Sequence, residues 1–349
     1  MKNRRNVFEF DDIRFNIAIL HHDLEPAEIK FKELFLNKGC NVSLFDIRFV
    51  NEKDLKNFDF VFNRVYSSVA SRDYETLSKT LKLLRKLEKK GVICVNSYLA
   101  SKADYSKYEL YKLLVKNNVY TPETFFVKTD KEISTVSKKA LSKLSFPIVV
   151  KRNCGGKSYE VKRVYSEKEL LSALREMFDL AKKQNYLGGL LIQEFVPSIR
   201  DHDCRVAISN NNFLYSYART FISRNSEDKW LASTSGGSYE VNYDSTFEEI
   251  SLAKKANKAI NCLFSESDVI MTKNGPCIIE INPSAGYFVE SEDDLNRMEA
   301  IVQSFLNLLE SQNNLMNVLK IPSKVQIIQD ELEEVKPIGN SQLIIREEN

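Results

Sequence analysis

The 349-residue sequence predicts a mixed α/β and α+β protein of several lobes, and three observations carry that prediction. Residues 14–100 alternate short β-branched runs with helical stretches, the pattern of a small parallel sheet covered by helices. Beyond residue 101 the apolar runs face one another across turn residues, as in antiparallel hairpins. The length exceeds one average domain, and 43% apolar residues are enough for two or three cores. The expected division is an N-terminal α/β domain (14–100), a central α+β lobe (101–195), a C-terminal α+β lobe (196–311) and an extension (312–349).

In the first domain FNIAIL, NVSLFDI, FDFVFNRV and VICVNS read as strands, with helices over 25–38 and 74–90. A helix over 102–117 follows, with Leu110, Leu113 and Leu114 at helical spacing, and ends at Asn117-Asn118 and Thr121-Pro122. The central lobe reads as FFVK, a helical stretch to Leu144, FPIVVKR, a Gly-containing turn, EVKRVY, a helix over 167–183 and LLIQEFV. Next, RVAIS and FLYSYART flank a triplet of asparagines, and a polar stretch leads to Gly236-Gly237. A helix over 247–264 precedes an acidic hairpin. The last helix, 290–311, puts Leu295, Met298, Ile301, Val302, Phe305, Leu308 and Leu309 on one stripe.

Composition narrows the chemistry. Fifty basic against 48 acidic residues leave a charge of +2, so no global field draws the chain to nucleic acid or an anionic membrane. No run approaches the ~20 apolar residues that span a bilayer, and a cytoplasmic address is expected. Six scattered cysteines show no zinc spacing and read as reduced, buried residues. Three histidines are little material for a His-based triad, which turns attention to carboxylate, amide, Lys and Arg chemistry.

The hairpin SDVIMT-KNG-PCIIEIN is the most informative segment. A two-residue Asn274-Gly275 loop pairs Asp268 with Ile281 and turns it away from Glu280. A three-residue loop, Lys273 to Gly275 with Gly275 left-handed, sets Asp268 opposite Glu280 on the face that carries Asn282. Two carboxylates at ~4 Å repel by about 4 kcal/mol at an effective dielectric near 20. A divalent ion offsets this, and an all-oxygen set suits Mg²⁺, with Mn²⁺ as a substitute. An ordinary hairpin with a wet polar face is the bland alternative.

Gly156-Lys157-Ser158 looks like the end of a P-loop, but Lys151 stands where the earlier glycine belongs and a strand follows, so a Walker site is rejected. Lys151 ends the strand FPIVVK, and the turn from Asn153 to Lys157, with Gly155 and Gly156, offers backbone N–H groups in a flexible flap for phosphate. A strand-end lysine is otherwise a snorkelling surface residue.

Taken in order, these features resemble the ATP-grasp superfamily, specifically its RimK-like amino-acid ligases, which add glutamate to a ribosomal protein tail or to cofactors. The likeness spans residues 60–290. Lys107 stands fifteen residues before Pro122, as the first nucleotide-binding lysine of that branch does, and Lys151 falls where the second ends a strand. Gln193, Glu194, Phe195 and Val196 look like the hinge that binds adenine through its backbone. Asp203-Cys204-Arg205 resembles the Asp-x-Arg element, and Arg219 the arginine one hairpin later. WLASTSGG is similar to the stretch before a Gly pair, with Leu231 in place of the usual Arg and Ser233 in place of Asn. Asp268, Glu280 and Asn282 match the metal-binding Asp and E-x-N at a twelve-residue spacing.

The resemblance implies an ATP-grasp fold, a parallel-sheet domain followed by two α+β lobes enclosing ATP. It implies an ADP-forming carboxylate–amine ligase that works through an acylphosphate. Lys107, Lys151, Gly155, Gly156, Gln193, Glu194, Phe195, Val196 and Asp203 would bind nucleotide, and Asp268, Glu280 and Asn282 the metal. Arg205 and Arg219 would serve catalysis, and Arg64, Ser233, Gly236 and Gly237 the substrate. The partners expected are small-molecule or peptide acids and amines, with a homo-oligomer left open. The alternatives are an ATP-binding regulator that no longer ligates, suggested by the altered WLAS segment, and a phosphotransferase or acylphosphate reductase using the same cleft.

Overall fold

The computed structural model describes residues 14–156, 160–223, 229–233 and 236–319, with side chains to residue 312. Lys157 of the expected flap, part of the WLASTSGG stretch and the extension beyond residue 319 lie outside the described residues.

Strands β1 (Asn16–His21), β2 (Asn41–Asp46), β3 (Phe60–Asn63) and β4 (Ile93–Val95) form a parallel sheet in the order β2-β1-β3-β4. Parallel strands need crossovers, and α1 (Pro26–Leu36), the short α2 (Glu52–Leu55) and α3 (Tyr74–Glu88) supply them. Alternation along β1 then feeds two cores. Ile17 and Ile19 join Phe31 and Phe35 of α1 on one face, while Ala18 and Leu20 join Leu77, Leu83 and Leu84 of α3 on the other. α1 starts on Pro26 with a reciprocal Glu25/Glu28 capping box, which fixes its first turn.

The expected helix over 102–117 is two helices, α4 (Tyr98–Asp104) and α5 (Lys107–Lys116). The break falls at Ser106, whose hydroxyl accepts from the Glu109 N–H and restarts the helix. Both were expected to belong to the central lobe. Their apolar residues Ala100, Ala103, Leu110 and Leu114 instead pack with Val206, Ile208, Ala253 and Val269 of the C-terminal lobe.

The central sheet is antiparallel, β5-β8-β6-β7, from β5 (Thr124–Val127), β6 (Ile148–Arg152), β7 (Lys162–Val164) and β8 (Leu190–Glu194). Helices α6 (Ile133–Leu141) and α7 (Glu167–Lys183) cover it with Ile133, Ala140, Leu170, Leu174 and Phe178. The third sheet has the order β11-β10-β9-β12-β13, built from β9 (His202–Ser209), β10 (Asn212–Thr220), β11 (Glu240–Asn242), β12 (Phe264–Thr272) and β13 (Gly275–Asn282). Helix α8 (Phe247–Ala259) covers one face. Helix α9 (Glu292–Leu319) runs past the expected end at 311, and its Met298, Ile301, Val302 and Phe305 fill the N-terminal core. No helix among the described residues is long and apolar enough to cross a membrane, and all six cysteines are free and buried.

Arg64 corrects an expectation. It was expected to reach substrate from the first domain, but it is 0% exposed and its Nε donates to Glu28 Oε1 at 3.1 Å. Its guanidinium lies over the rings of Tyr66, Phe31, Phe62 and Tyr287, within 4.9 to 5.7 Å of their centroids. The chain continues inward at this point because β3 is a central strand covered on both faces. Removing one partner of such a pair leaves a buried, uncompensated charge. Arg64→Ala is therefore expected to lower unfolding free energy by about 3–5 kcal/mol, read by urea denaturation.

Candidate active site

A cavity of about 560 Å³ opens between the central and C-terminal sheets and meets the N-terminal domain at the 3₁₀ turn Ser67–Ser71. Of the residues singled out in the sequence, Lys107, Lys151, Gly155, Gly156, Gln193, Glu194, Phe195, Val196, Asp203, Arg219, Asp268 and Glu280 line it. Arg205 and Asn282 bond Asp268 beside these lining residues, and the Arg205 side chain is 14% exposed.

Asp268 does lie opposite Glu280, by a different route from the one expected. Thr272 pairs with Gly275, so the reversal is the two residues Lys273-Asn274, with Gly275 at φ +98°. That register alone would set Asp268 against Ile279. A β-bulge intervenes: Val269 pairs with Ile278 and Asp268 with Glu280, leaving Ile279 as the extra residue. Ile279 lines the cavity. The bulge, and not a three-residue loop, puts both carboxylates on one face.

That face is an ion-pair ladder. Arg205 on β9 is in register with Asp268, and its Nε and Nη2 donate to the two Asp268 oxygens at 2.7 and 3.1 Å. Arg219 on β10 donates to Asp203 through Nε at 3.0 Å and reaches Asp268 Oδ2 at 2.8 Å. Across the cavity Lys107 Nζ lies 2.8 Å from Glu280 Oε1. Burial alone would raise the Asp268 carboxyl, but Arg205 and Arg219 hold it at about 2. The carboxylate repulsion argued from sequence is thus offset by the protein's own cations, and the fold needs no metal to hold the pair. The Asn282 amide nitrogen donates to Asp268 Oδ1 and to the Glu266 carbonyl, both at 3.3 Å, while its amide oxygen has no partner among the described residues. Two carboxylates and one amide oxygen are hard donors that fit Mg²⁺. No group of three or more His, Cys, Asp or Glu gathers among the described residues, so the amide is essential to any such set.

The two lysines are placed by Asn153, a residue the sequence reading passed over as part of a turn. Its side-chain oxygen accepts from the Tyr108 N–H at 2.9 Å and from the Ser106 hydroxyl at 3.1 Å, and its carbonyl accepts from the Lys107 N–H at 2.9 Å. Its amide donates to the Gly188 carbonyl at 2.9 Å. The end of β6, the flap and the N-terminus of α5 are therefore stitched together, and Lys107 Nζ donates to the Gly155 carbonyl at 2.7 Å. Lys151 makes no ion pair among the described residues. Burial pushes its ammonium down to about 8, against the pull of Glu280 and with the help of Lys107. Asp104, at the end of α4, was also missed. Burial raises its carboxyl to about 7, with Lys107 acting against and Glu280 adding to that rise.

At the other end, Val149, Ile270, Phe221, Trp230 and Pro122 give apolar walls. Glu194 ends β8, and Phe195 and Val196 lie outside any strand, between the two sheets, with backbone groups unpaired among the described residues. Such an edge suits a flat heterocycle. Leu231 and Ala232 also line the cavity, so the departure from the Arg of similar sequences leaves an apolar wall. Ser233, Gly236 and Gly237 do not line it. The Gly236 and Ser238 N–H groups close a turn on the Ser233 carbonyl at 2.9 and 3.0 Å, and a Cβ on Gly236 would meet Ile222 at 2.9 Å. Gly236 thus serves tight packing, while Gly237 has open space around it and takes a left-handed φ of +105°. The N-terminal domain adds Ser68, Ser71 and Arg72, which no sequence motif marked.

Lys151 yields a pH test. Below about pH 8 the free protein already carries the ammonium, so affinity for a Mg²⁺–ATP analogue should be flat. Above it, the anion must draw a proton onto Lys151 as it binds. Kd is expected to rise toward tenfold per pH unit between ~8 and 9 by calorimetry, and to stay flat in Lys151→Arg.

Comparisons with known proteins bear on the fold and the family. The profile of the RimK-like ATP-grasp domain matches residues 104–325. A probable alpha-L-glutamate ligase of Vibrio atlanticus (strain LGP32) is 25% identical over 240 residues, covering 69% of this chain and 73% of the relative. A RimK domain ATP-grasp protein from Sphaerobacter thermophilus superposes with a TM-score of 0.60 at 15% identity, covering 84% of this chain and 98% of its own. The ATP-grasp ligase PsnB, complexed with a phosphomimetic variant of its minimal precursor, Mg and ADP, gives 0.58 at 14% identity over 85% and 99%. The match covers well over half of the sequence and includes both lysines, the hinge and the acidic hairpin, and on that ground the chain belongs to the RimK-like ATP-grasp family.

Proposed function

We propose that this ADP-forming carbon–nitrogen ligase, acting in the cytoplasm, joins an amino acid such as glutamate to the amine or carboxyl group of a peptide or cofactor through an acylphosphate. The observation that carries the reading is the opposition of charges across one cavity. Lys107 at the start of α5 and Lys151 on β6 face the carboxylates Asp268 and Glu280, which are backed by Arg205 and Arg219.

Adenine would occupy the apolar end, its polar edge on the backbone at Phe195 and Val196, and the phosphates would run toward Lys151 and the Gly155-Gly156 turn. Asp268, Glu280 and Asn282 would hold Mg²⁺ or Mn²⁺, which when bound neutralises phosphate oxygens. Asp268, with its carboxyl near 2, is ionised at every working pH and ready to serve. Lys107 bridges Glu280 and the Gly155 carbonyl, so phosphate arriving here would exchange one anionic partner for another without stranding a charge. Arg219 at the cavity wall, with Arg205 beside it on Asp268, would offset negative charge on the transferred phosphoryl and on the oxygen of the tetrahedral intermediate that forms when the amine attacks. A carboxylate is too poor an acyl donor without activation, which is why ligation and phosphoryl transfer share one cavity. The acid and amine would enter from the N-terminal side, past Ser68, Ser71 and Arg72.

The test is ADP release with a panel of amino acids and amines, with hydroxylamine added to trap the acylphosphate as a hydroxamate. Glu280→Gln is expected to lower acid-dependent ADP release by at least ~100-fold while the melting temperature holds, because Glu280 is only partly buried. Undiminished turnover in that variant would remove the metal assignment.

A further inference from the structure

Glu266 is a fully buried carboxylate that none of the roles above uses. It lies two residues before Asp268 on β12, on the same face of the sheet, in register with Asn282 on β13 and Ala207 on β9. Ala207 is also the partner of Tyr215 on β10, and its small side chain leaves the space across which Tyr215 reaches over. Four donors converge on the carboxylate. Tyr215 and Tyr287 hydroxyls donate to Oε1 at 2.6 and 3.0 Å, and the Tyr217 hydroxyl and Arg205 Nη1 donate to Oε2, both at 3.4 Å. Arg205 is the only cationic donor among these.

A carboxylate taken wholly out of water costs several kcal/mol, and an apolar residue in its place would serve packing better. Its position next to Arg205 gives it a use. The Nε and Nη2 edge of Arg205 is committed to Asp268, and the remaining Nη1 points to Glu266. When Asp268 turns to a metal–nucleotide complex, that edge loses its partner, and a long side chain held by nothing else would swing. We infer that Glu266 is a positioning residue, a buried anionic anchor that keeps the Arg205 guanidinium at the reacting phosphoryl and acyl groups after Asp268 is engaged. The three phenols hold the anchor itself, so the charge cannot retreat. This inference rests on the catalytic reading of Arg205 given above.

Glu266→Gln keeps the size of the side chain and an oxygen for the phenols and removes the charge. With full-length protein and saturating acid and amine, kcat is expected to fall by ~10- to 100-fold, as for a misplaced catalytic group, while KM for ATP moves less than ~3-fold. In an Arg205→Lys background, Glu266→Gln should cost less than ~3-fold more, because the two act as one unit. Tyr287→Phe, which removes one of the three phenols and no charge, should lower the melting temperature and cost kcat clearly less than Glu266→Gln does. Glu266→Asp, which draws the charge back by one methylene, should give the same kcat loss and serves if the Gln variant does not fold. Unchanged kcat in Glu266→Gln, multiplying losses in the double variant, or a kcat loss in Tyr287→Phe as large as in Glu266→Gln would each overturn the inference. Full activity of Arg205→Lys and Arg205→Ala would instead fail the reading of Arg205 on which it rests.

Discussion

The rest of the site depends on one interaction, the sharing of Asp268 between Arg205 and Arg219. Five ionisable side chains, Asp203, Arg219, Asp268, Arg205 and Glu266, form a chain across β10, β9 and β12, all of them largely or wholly buried. Each carboxylate there would repel its neighbour by several kcal/mol at the separations a sheet imposes, a large fraction of a domain's net stability. Interleaved guanidinium groups reverse that sign. The protein is thereby able to keep an acidic face dry and ionised in advance of any cation, which is the state a metal–nucleotide complex requires.

Opposite this face the two lysines come from different bodies, Lys107 from α5, which packs on the C-terminal sheet, and Lys151 from β6 of the central sheet. Asn153 ties the start of α5, the end of β6 and the Gly188 turn to one another, so it sets the spacing of the two lysines at the mouth of the cavity. The ladder stands on a five-stranded sheet braced by α4, α5 and α8, and the central sheet that carries Lys151 has a core of its own. Two separately packed bodies with one cavity between them are suited to closing over a substrate and excluding water. The break at Ser106 matters here, since an unbroken helix would carry Lys107 away from Gly155 and Glu280.

The N-terminal domain is the third party. Helix α9 runs from the C-terminal lobe to fill the core under α1, and Tyr287 donates to Glu266 while its ring packs edge-on against Phe31. The anchor of the catalytic face is therefore also an anchor between domains. Arg64 belongs to this structural set, sealed with Glu28 beneath the same tyrosine.

Sequence alone determined the local choices. The alternation of β1 and β3, the 167–183 helix and the strand that carries Lys151 were legible because each follows from a period, a cap or a turn within a few residues. The tertiary structure decided what those residues meet. A β-bulge, which leaves no mark in an apolar run, set the hairpin register in place of the loop length. Arg64, expected to serve the substrate, is buried at the end of β3, because β3 is central, a fact of strand order and not of composition. Asn153 and Glu266 were invisible as functional residues, since a single polar side chain takes its meaning from donors that arrive from more than twenty residues away in the chain.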